Sequence, residues 1–328
     1  MKEWINNRYH GVVFGRTRIG EFLNALYSIR LFLRYSFKGS YLNEQENSRS
    51  FLIKQYHIIE KGLAMPAPRE NFGIPKIKTL LAKLKNHEGK YGADSEISEP
   101  IRNCLNEYLE ANPNLEQKDK DLYRDIMQLC ANMPSTSIDG GTKHYDIENL
   151  KASINLDFET FLQTRSSVRN FKQQKVEISD IEKAISLARN APSVCNRQNW
   201  RVHYYDDDAV KQKLLGLQHG NNGFNESIQG LFVVTTDIRG FTRMEQNQVF
   251  VDGGLFSMNL VLSLHSLGIG SCCLNTCFPY TRENAVKKAG DIPKNERLIM
   301  MIGLGYWKDD FKVAYSKKKE ITELLTIH

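Results

Sequence analysis

Residues 249–267 read V-F-V-D-G-G-L-F-S-M-N-L-V-L-S-L-H-S-L. The stretch is predicted as one long helix, apolar nearly all round, with Asp252 its single acid. Such a helix belongs deep in a core or in a subunit interface. No run of eighteen apolar residues occurs anywhere in the chain, so a membrane-spanning helix is not expected. Outward from this helix, G-I-G-S-C-C-L-N (268–275) and R-L-I-M-M-I-G-L-G-Y (297–306) read as strands on its C-terminal side. On its N-terminal side, W-R-V-H-Y-Y (200–205) alternates as a half-buried strand, and L-F-V-V-T-T (231–236) is a buried one. Further back, I-S-D-I-E-K-A-I-S-L-A-R-N (178–190) carries Ser179 and Glu182 at capping-box spacing, followed by an apolar stripe of Ile181, Ala184, Ile185 and Ala188.

Before about residue 155 the texture is different. Residues 12–38 are basic and aromatic-rich, with Phe22, Leu26, Ile29 and Phe32 or Leu33 at helical spacing, decorated by Arg16, Arg18, Arg30, Arg34 and Lys38. This pattern suits a helix docked on a partner domain, and it also suits an interfacial membrane helix. A helix from Arg49 follows, closed by Gly62, Pro66 and Pro68, then two more at roughly 75–91 and 97–111. Residues 112–150 read as a connector rich in turn formers. The expected division is a helical extension with connector over 1–150 and a second domain over 151–328.

The net charge of +6 is unevenly placed: residues 1–90 hold 16 Lys and Arg against 7 Asp and Glu. Weak contact with a membrane or another anionic polymer through this basic quarter is therefore open, beside the reading of a solvated helical face. No nucleic-acid partner is expected. Six irregularly spaced cysteines do not form a disulfide framework, and no secretory signal begins the chain, so a cytoplasmic protein with reduced thiols is expected.

Three stretches hold candidate chemistry. Arg165-Ser166-Ser167-Val168-Arg169 places two guanidinium forks around hydroxyls, a set that suits a phosphate but also occurs on solvated surfaces. Residues 191–200, A-P-S-V-C-N-R-Q-N-W, set Asn196 and Gln198 in a turn, where their amides can donate and accept toward a flat polar-edged group; a plain helix stop and turn has the same composition. Lys317, Lys318 and Lys319 can set a cation beside an anionic ring or lie in a solvated tail. Cys272, Cys273 and Cys277 near His265 lack zinc-knuckle spacing, and adjacent strand residues face opposite sides, so no metal site is expected.

Taken in order, Arg-x-Ser, then Ala-Pro-Ser-x-x-Asn-x-Gln-x-Trp, then the 252–272 helix and Gly-rich strand, then I-G-L-G-Y and a basic tail, this chain resembles the FMN-dependent nitroreductase family over roughly residues 155–320. The resemblance implies an α+β fold: a nitroreductase-like three-layer arrangement with a central, mainly antiparallel sheet, here preceded by an α-helical region. It also implies a homodimer with FMN at the interface and NADH or NADPH as co-substrate, working by ping-pong hydride transfer to a nitro, quinone or other conjugated small-molecule acceptor. Arg165, Ser166, Ser167 and Arg169 are then expected at the phosphate and ribityl end. Pro192, Ser193, Val194, Asn196 and Gln198 reach the flavin from the partner subunit, Gly268 and Gly270 admit the ring, and Lys317 and Lys319 supply cations. No side chain is expected to act as a nucleophile. Asn199 departs from the family, which often has proline there; this is expected to loosen the turn without removing a contact. The competing readings are a specialised dehydrogenase or flavin-processing relative, and a membrane- or polymer-binding protein with a vestigial flavin fold.

Overall fold

The computed structural model describes residues 17–37, 44–65, 68–131, 140–142, 157–311, 313–314 and 319–328. Its N-terminal helices are α1 (Arg18–Tyr35), α2 (Gln45–Leu63), α3 (Ile74–Tyr91), α4 (Ser95–Ala111), α5 (Leu115–Lys118) and α6 (Lys120–Ala131). After these come α7 (Phe158–Thr164), α8 (Ile178–Ala188), β1 (Trp200–Tyr205), α9 (Asp208–Leu217), β2 (Gly230–Asp237), α10 (Gln248–Ser266), β3 (Ile269–Leu274), α11 (Tyr280–Ala289), β4 (Glu296–Tyr306) and α12 (Ile321–Leu324).

The four strands form one antiparallel sheet in the order β1-β2-β4-β3. Its two faces follow from strict alternation along β2. Phe232 and Val234 meet Ile181 and Ala184 of α8 and Phe256, Leu260 and Leu264 of α10. Leu231 and Val233 meet Leu214 and Leu215 of α9 and Val286 of α11 on the other side. The result is the expected α+β, helix–sheet–helix arrangement. By length and composition α10 is apolar enough to cross a membrane, but half of it is buried inside this chain against α8 and the sheet. Cys272 is buried and Cys273 exposed, as neighbours in a strand should be.

Helices α2, α3, α4 and α6 share a separate core built on Leu52, Ile59, Ile77, Leu80, Ile101, Leu105, Tyr108 and Ile126. Helix α1 leaves that group and packs on the sheet domain. Leu31 and Phe32 bury against Ile238, Phe241 and Val249, Tyr27 Oη donates to Asn284 Oδ1 at 2.9 Å, and Tyr280 N–H donates to Asn24 Oδ1 at 2.8 Å.

Three local expectations are corrected. The 112–150 stretch is not all connector, because α6 places Leu122 and Ile126 one turn apart in the helical core. No capping box opens α8: Glu177 is its N-cap, Ser179 lies inside the first turn, and Asp180 instead accepts from Tyr306 Oη at 2.6 Å. Gly62 does not stop α2, which continues to Leu63 with Ala64 as C-cap. A Cβ on Gly62 would fall within the Phe72 ring, so the glycine serves packing. Of the basic residues assigned to the first helix, Arg16 and Lys38 lie outside the described residues.

Candidate functional site

Where α7 ends, Arg165 and Ser166 turn into an extended segment. Val168 N–H donates to Ser271 O at 2.9 Å, and Ser167 bridges Ser271, which fastens this segment beside β3. A cavity of about 640 Å³ opens there, lined by Thr164, Arg165, Ser166, Val168, His265, Ile269, Gly270, Ser271, Trp307 and Phe311 among others. Small-molecule pockets typically span about 300–1,000 Å³. Its wall is aromatic: His265 and Trp307 lie 5.3 Å apart between ring centres and Trp307 and Phe311 6.4 Å, with Phe161 packed 5.0 Å from His265. A Cβ on Gly270 would meet the Trp307 indole at 2.8 Å and Val168 Cβ at 3.1 Å. Glycine here lets the indole lie on the strand.

Arg165 makes no hydrogen bond or ion pair with any described residue, although it borders an apolar cavity. A guanidinium in that position fits an anion from outside the chain. Its charge is felt nearby. Burial, and then Arg165, hold the His265 imidazole below its ordinary pKa. The neutral ring lies 3.1 Å from Thr164 Oγ1 through Nε2. Arg169 does not join Arg165 at the cavity wall; its guanidinium lies over the Phe224 ring at 5.9 Å. Gly268, with φ +73°, makes the turn from α10 into β3, and a Cβ there would touch nothing. Lys319 is exposed in the tail, and Lys317 lies outside the described residues.

The second half of the expected site is the 192–198 loop, with Pro192 exposed at its start. Cys195, Asn196 and Gln198 all have left-handed φ, at 51°, 52° and 53°. Each such residue costs on the order of 1–3 kcal/mol unless its surroundings impose it. The imposing contacts are visible. Ser193 Oγ accepts from Gln198 N–H at 3.0 Å, and Gln198 Nε2 donates to Asn196 Oδ1 at 3.2 Å. Asp252, buried in α10, accepts from Val194 N–H at 3.1 Å and from Gln248 Nε2 at 2.7 Å. The Arg197 side chain, fully buried, donates to Val194 O and Gly240 O and forks onto both oxygens of Glu245 at 2.8 and 2.9 Å.

Helix α2 closes the back of this loop. Ser50 Oγ donates to Asn199 Oδ1 at 3.2 Å, and Asn47 Nδ2 donates to Arg239 O at 2.5 Å. Asn199 is buried and its amide presses on Gly240. No contact is lost at this position, as expected, and the asparagine side chain adds one that helps to fix the turn. Asp252, Arg197 and Asn199 were not assigned a binding role by sequence reasoning. A lone acid in an otherwise apolar helix was the one signal that could have marked Asp252.

The two halves are not adjacent within one chain. The loop touches α10 at Asp252 and the cavity touches it at His265, about 20 Å further along the axis at the helical rise of 1.5 Å per residue. Between them α10 exposes Leu255 and Met258, with relative exposures of 43% and 46%, and Val251, beside the loop contact, extends the same stripe at 50%.

The three-layer α+β domain thus carries a cavity at one end of its central helix, large enough for a small molecule. The nitroreductase family model matches residues 162–234 and 218–306, and this part of the chain is a nitroreductase-family domain. A protein of Archaeoglobus fulgidus, provisionally named an NADH dehydrogenase/NAD(P)H nitroreductase, is 28% identical over 150 residues, which are 45% of this chain and 84% of its own. The iodotyrosine deiodinase of Thermotoga neapolitana is 25% identical over 186 residues, covering 49% of this chain and 94% of its own. The solved structure of an FMN-dependent nitroreductase from Clostridium difficile superposes with a TM-score of 0.42 at 23% identity, covering 48% of this chain and 90% of that one.

Proposed function

We propose that two copies of this chain assemble into a cytoplasmic FMN-dependent oxidoreductase that uses NADH or NADPH to reduce a conjugated small molecule, such as a nitro compound or a quinone. The observation that carries the reading is the separation of the two half-sites along α10, joined by an exposed apolar stripe. A second copy packed antiparallel on that stripe brings its 192–198 loop to the first copy's cavity and covers Val251, Leu255 and Met258. The residues present fit FMN: a guanidinium without a partner among the described residues and a neighbouring hydroxyl for a phosphate, an aromatic-lined cavity, and a rigid amide-bearing loop.

In this reading Arg165 and Ser166 bind the phosphate through charge-assisted and hydroxyl hydrogen bonds, while Arg169 contributes only long-range positive potential. Trp307, Phe311 and the neutral His265 exclude water from the cavity. The loop of the second copy presents Asn196 and Gln198 in one fixed geometry, because Asp252, Arg197 and Asn199 hold its backbone. FMN, when bound, supplies the hydride chemistry, and no protein nucleophile is required. The names of the relatives, NAD(P)H nitroreductase and iodotyrosine deiodinase, both fit reduction of an aromatic small molecule.

The test is purification of the full chain. A yellow dimer whose flavin absorbance bleaches with NADH or NADPH under nitrogen supports the reading. A colourless protein that takes up no added FMN, or a monomer with bound flavin, overturns it.

A further inference from the structure

Among the described residues, helix α1 is held to the rest of the molecule by one face. Leu31 and Phe32 are buried, and Tyr27 and Tyr35 pack beside them. The opposite face presents Ile19, Phe22, Leu26, Ile29 and Leu33, with relative exposures of 67%, 66%, 49%, 45% and 51%. Their spacing alternates three and four residues, so they form one continuous stripe along the whole helix. Helical projection at 100° per residue puts Arg18 along one edge of that stripe and Arg30 and Arg34 along the other. The single acid of the helix, Glu21, falls on the far side, near the docked face.

We propose that this stripe with its arginine borders docks on the surface of an anionic lipid bilayer. An apolar ridge bordered on both sides by guanidinium groups matches an interface in which acyl chains lie below a layer of negative headgroups. The arginine stems extend along the ridge while their charged ends reach the phosphates. Pairing of α1 with the α1 of a second copy is disfavoured by the same pattern. In either relative direction the borders of the paired ridges would carry guanidinium groups and no carboxylate to pair them. The sequence just before the helix repeats the composition, mixing Trp4, Tyr9 and Phe14 with Lys2, Arg8 and Arg16. This proposal does not depend on the flavin reading.

Flotation of the full-length chain with two vesicle types tests it: phosphatidylcholine alone, and phosphatidylcholine mixed with phosphatidylglycerol. The chain is expected to float with the mixed vesicles and not with phosphatidylcholine, and to be released by high salt. Phe22→Glu with Leu26→Glu should abolish flotation. Arg30→Glu with Arg34→Glu should weaken it by more than tenfold, since each cation near such a surface contributes roughly fivefold in partitioning. Both pairs lie on the exposed face, and an unchanged melting temperature confirms that they fold. Failure of the wild-type chain to float with the mixed vesicles overturns the proposal. So does equal flotation of the Phe22 and Leu26 variant, or an oligomer in lipid-free buffer that this variant dissociates, because a second copy would then cover the stripe.

Discussion

Burial pushes the Asp252 carboxyl above its ordinary pKa, against the hydrogen bonds from Gln248 and Val194 that favour the anion. Burial also acts to raise Glu245, but the fork from Arg197 and the Thr242 N–H outweigh it, and that carboxyl lies below its ordinary 4.5. Two neighbouring acids therefore respond to pH with opposite sign. Stability contributed by Glu245 is full above its ordinary value and is lost as pH falls through its depressed one. Asp252 contributes most below its ordinary 3.8, and that contribution fades as pH rises through its raised value. Melting temperature followed from neutral to acid pH should show a steeper acid-side fall in the wild type than in Glu245→Gln. Equal slopes would remove the Arg197 fork as a determinant. At neutral pH, Asp252→Ala leaves Val194 N–H without its acceptor and should destabilise by about 1–3 kcal/mol, whereas Asp252→Asn retains an acceptor oxygen and should be milder. Denaturant titration of the two variants checks the order. Little of this was legible beforehand. The sequence placed Asn196 and Gln198 in a turn, but a carboxylate 58 positions away in the chain holds that turn, and spacing carries no sign of such a long-range bond.

At the level of elements, regular periodicity was readable and chain-specific packing was not. The 249–267 stretch announced α10 because nineteen residues without a polar face have few places to go. The 120–131 stretch carries Leu122, Ile126 and Leu129 at helical spacing, but the turn formers on either side of it masked that short period. Gly62 misled for a physical reason: glycine after a helical run ordinarily marks a C-cap, but here it makes room for Phe72. Gly62→Ala should therefore destabilise. The gain of up to about 1 kcal/mol that alanine usually brings to a helix interior is outweighed by displacement of a packed ring. A raised melting temperature would contradict this. Helix α2 gives the sharper prediction. Asn47 makes three hydrogen bonds with one side chain: Nδ2 donates to Tyr35 O and Arg239 O, and Oδ1 accepts from Glu44 N–H. It thereby ties α1, α2 and the region behind the 192–198 loop together. Asn47→Ala should cost about 1–3 kcal/mol and should also weaken FMN binding several-fold, although the residue lies outside the cavity. Unchanged flavin affinity in a destabilised variant would reduce α2 to a structural prop.

Over the whole molecule, the charge asymmetry read from composition acquires a location. Part of the excess of cations in the first ninety residues borders the exposed ridge of α1. The second exposed ridge, on α10, has no such border among the described residues, and its neighbours are the loop and the cavity that lie apart within one chain. Charge inserted into that ridge therefore separates assembly from folding. Leu255→Glu with Met258→Glu leaves the inward face of α10 intact, since Phe256, Leu260 and Leu264 still pack on the sheet. It should yield a folded monomer with near-wild-type secondary structure and no retained flavin, because the amide loop no longer reaches Arg165. Asp252→Ala should instead remain a dimer with weakened flavin affinity. Light scattering and flavin absorbance on the same samples distinguish the two. The melting temperature of the wild type should rise with protein concentration while that of the Leu255 and Met258 variant stays flat. If the double variant remains a yellow dimer, the α10 ridge is not the assembly surface, and the half-site separation must be bridged by motion within one chain.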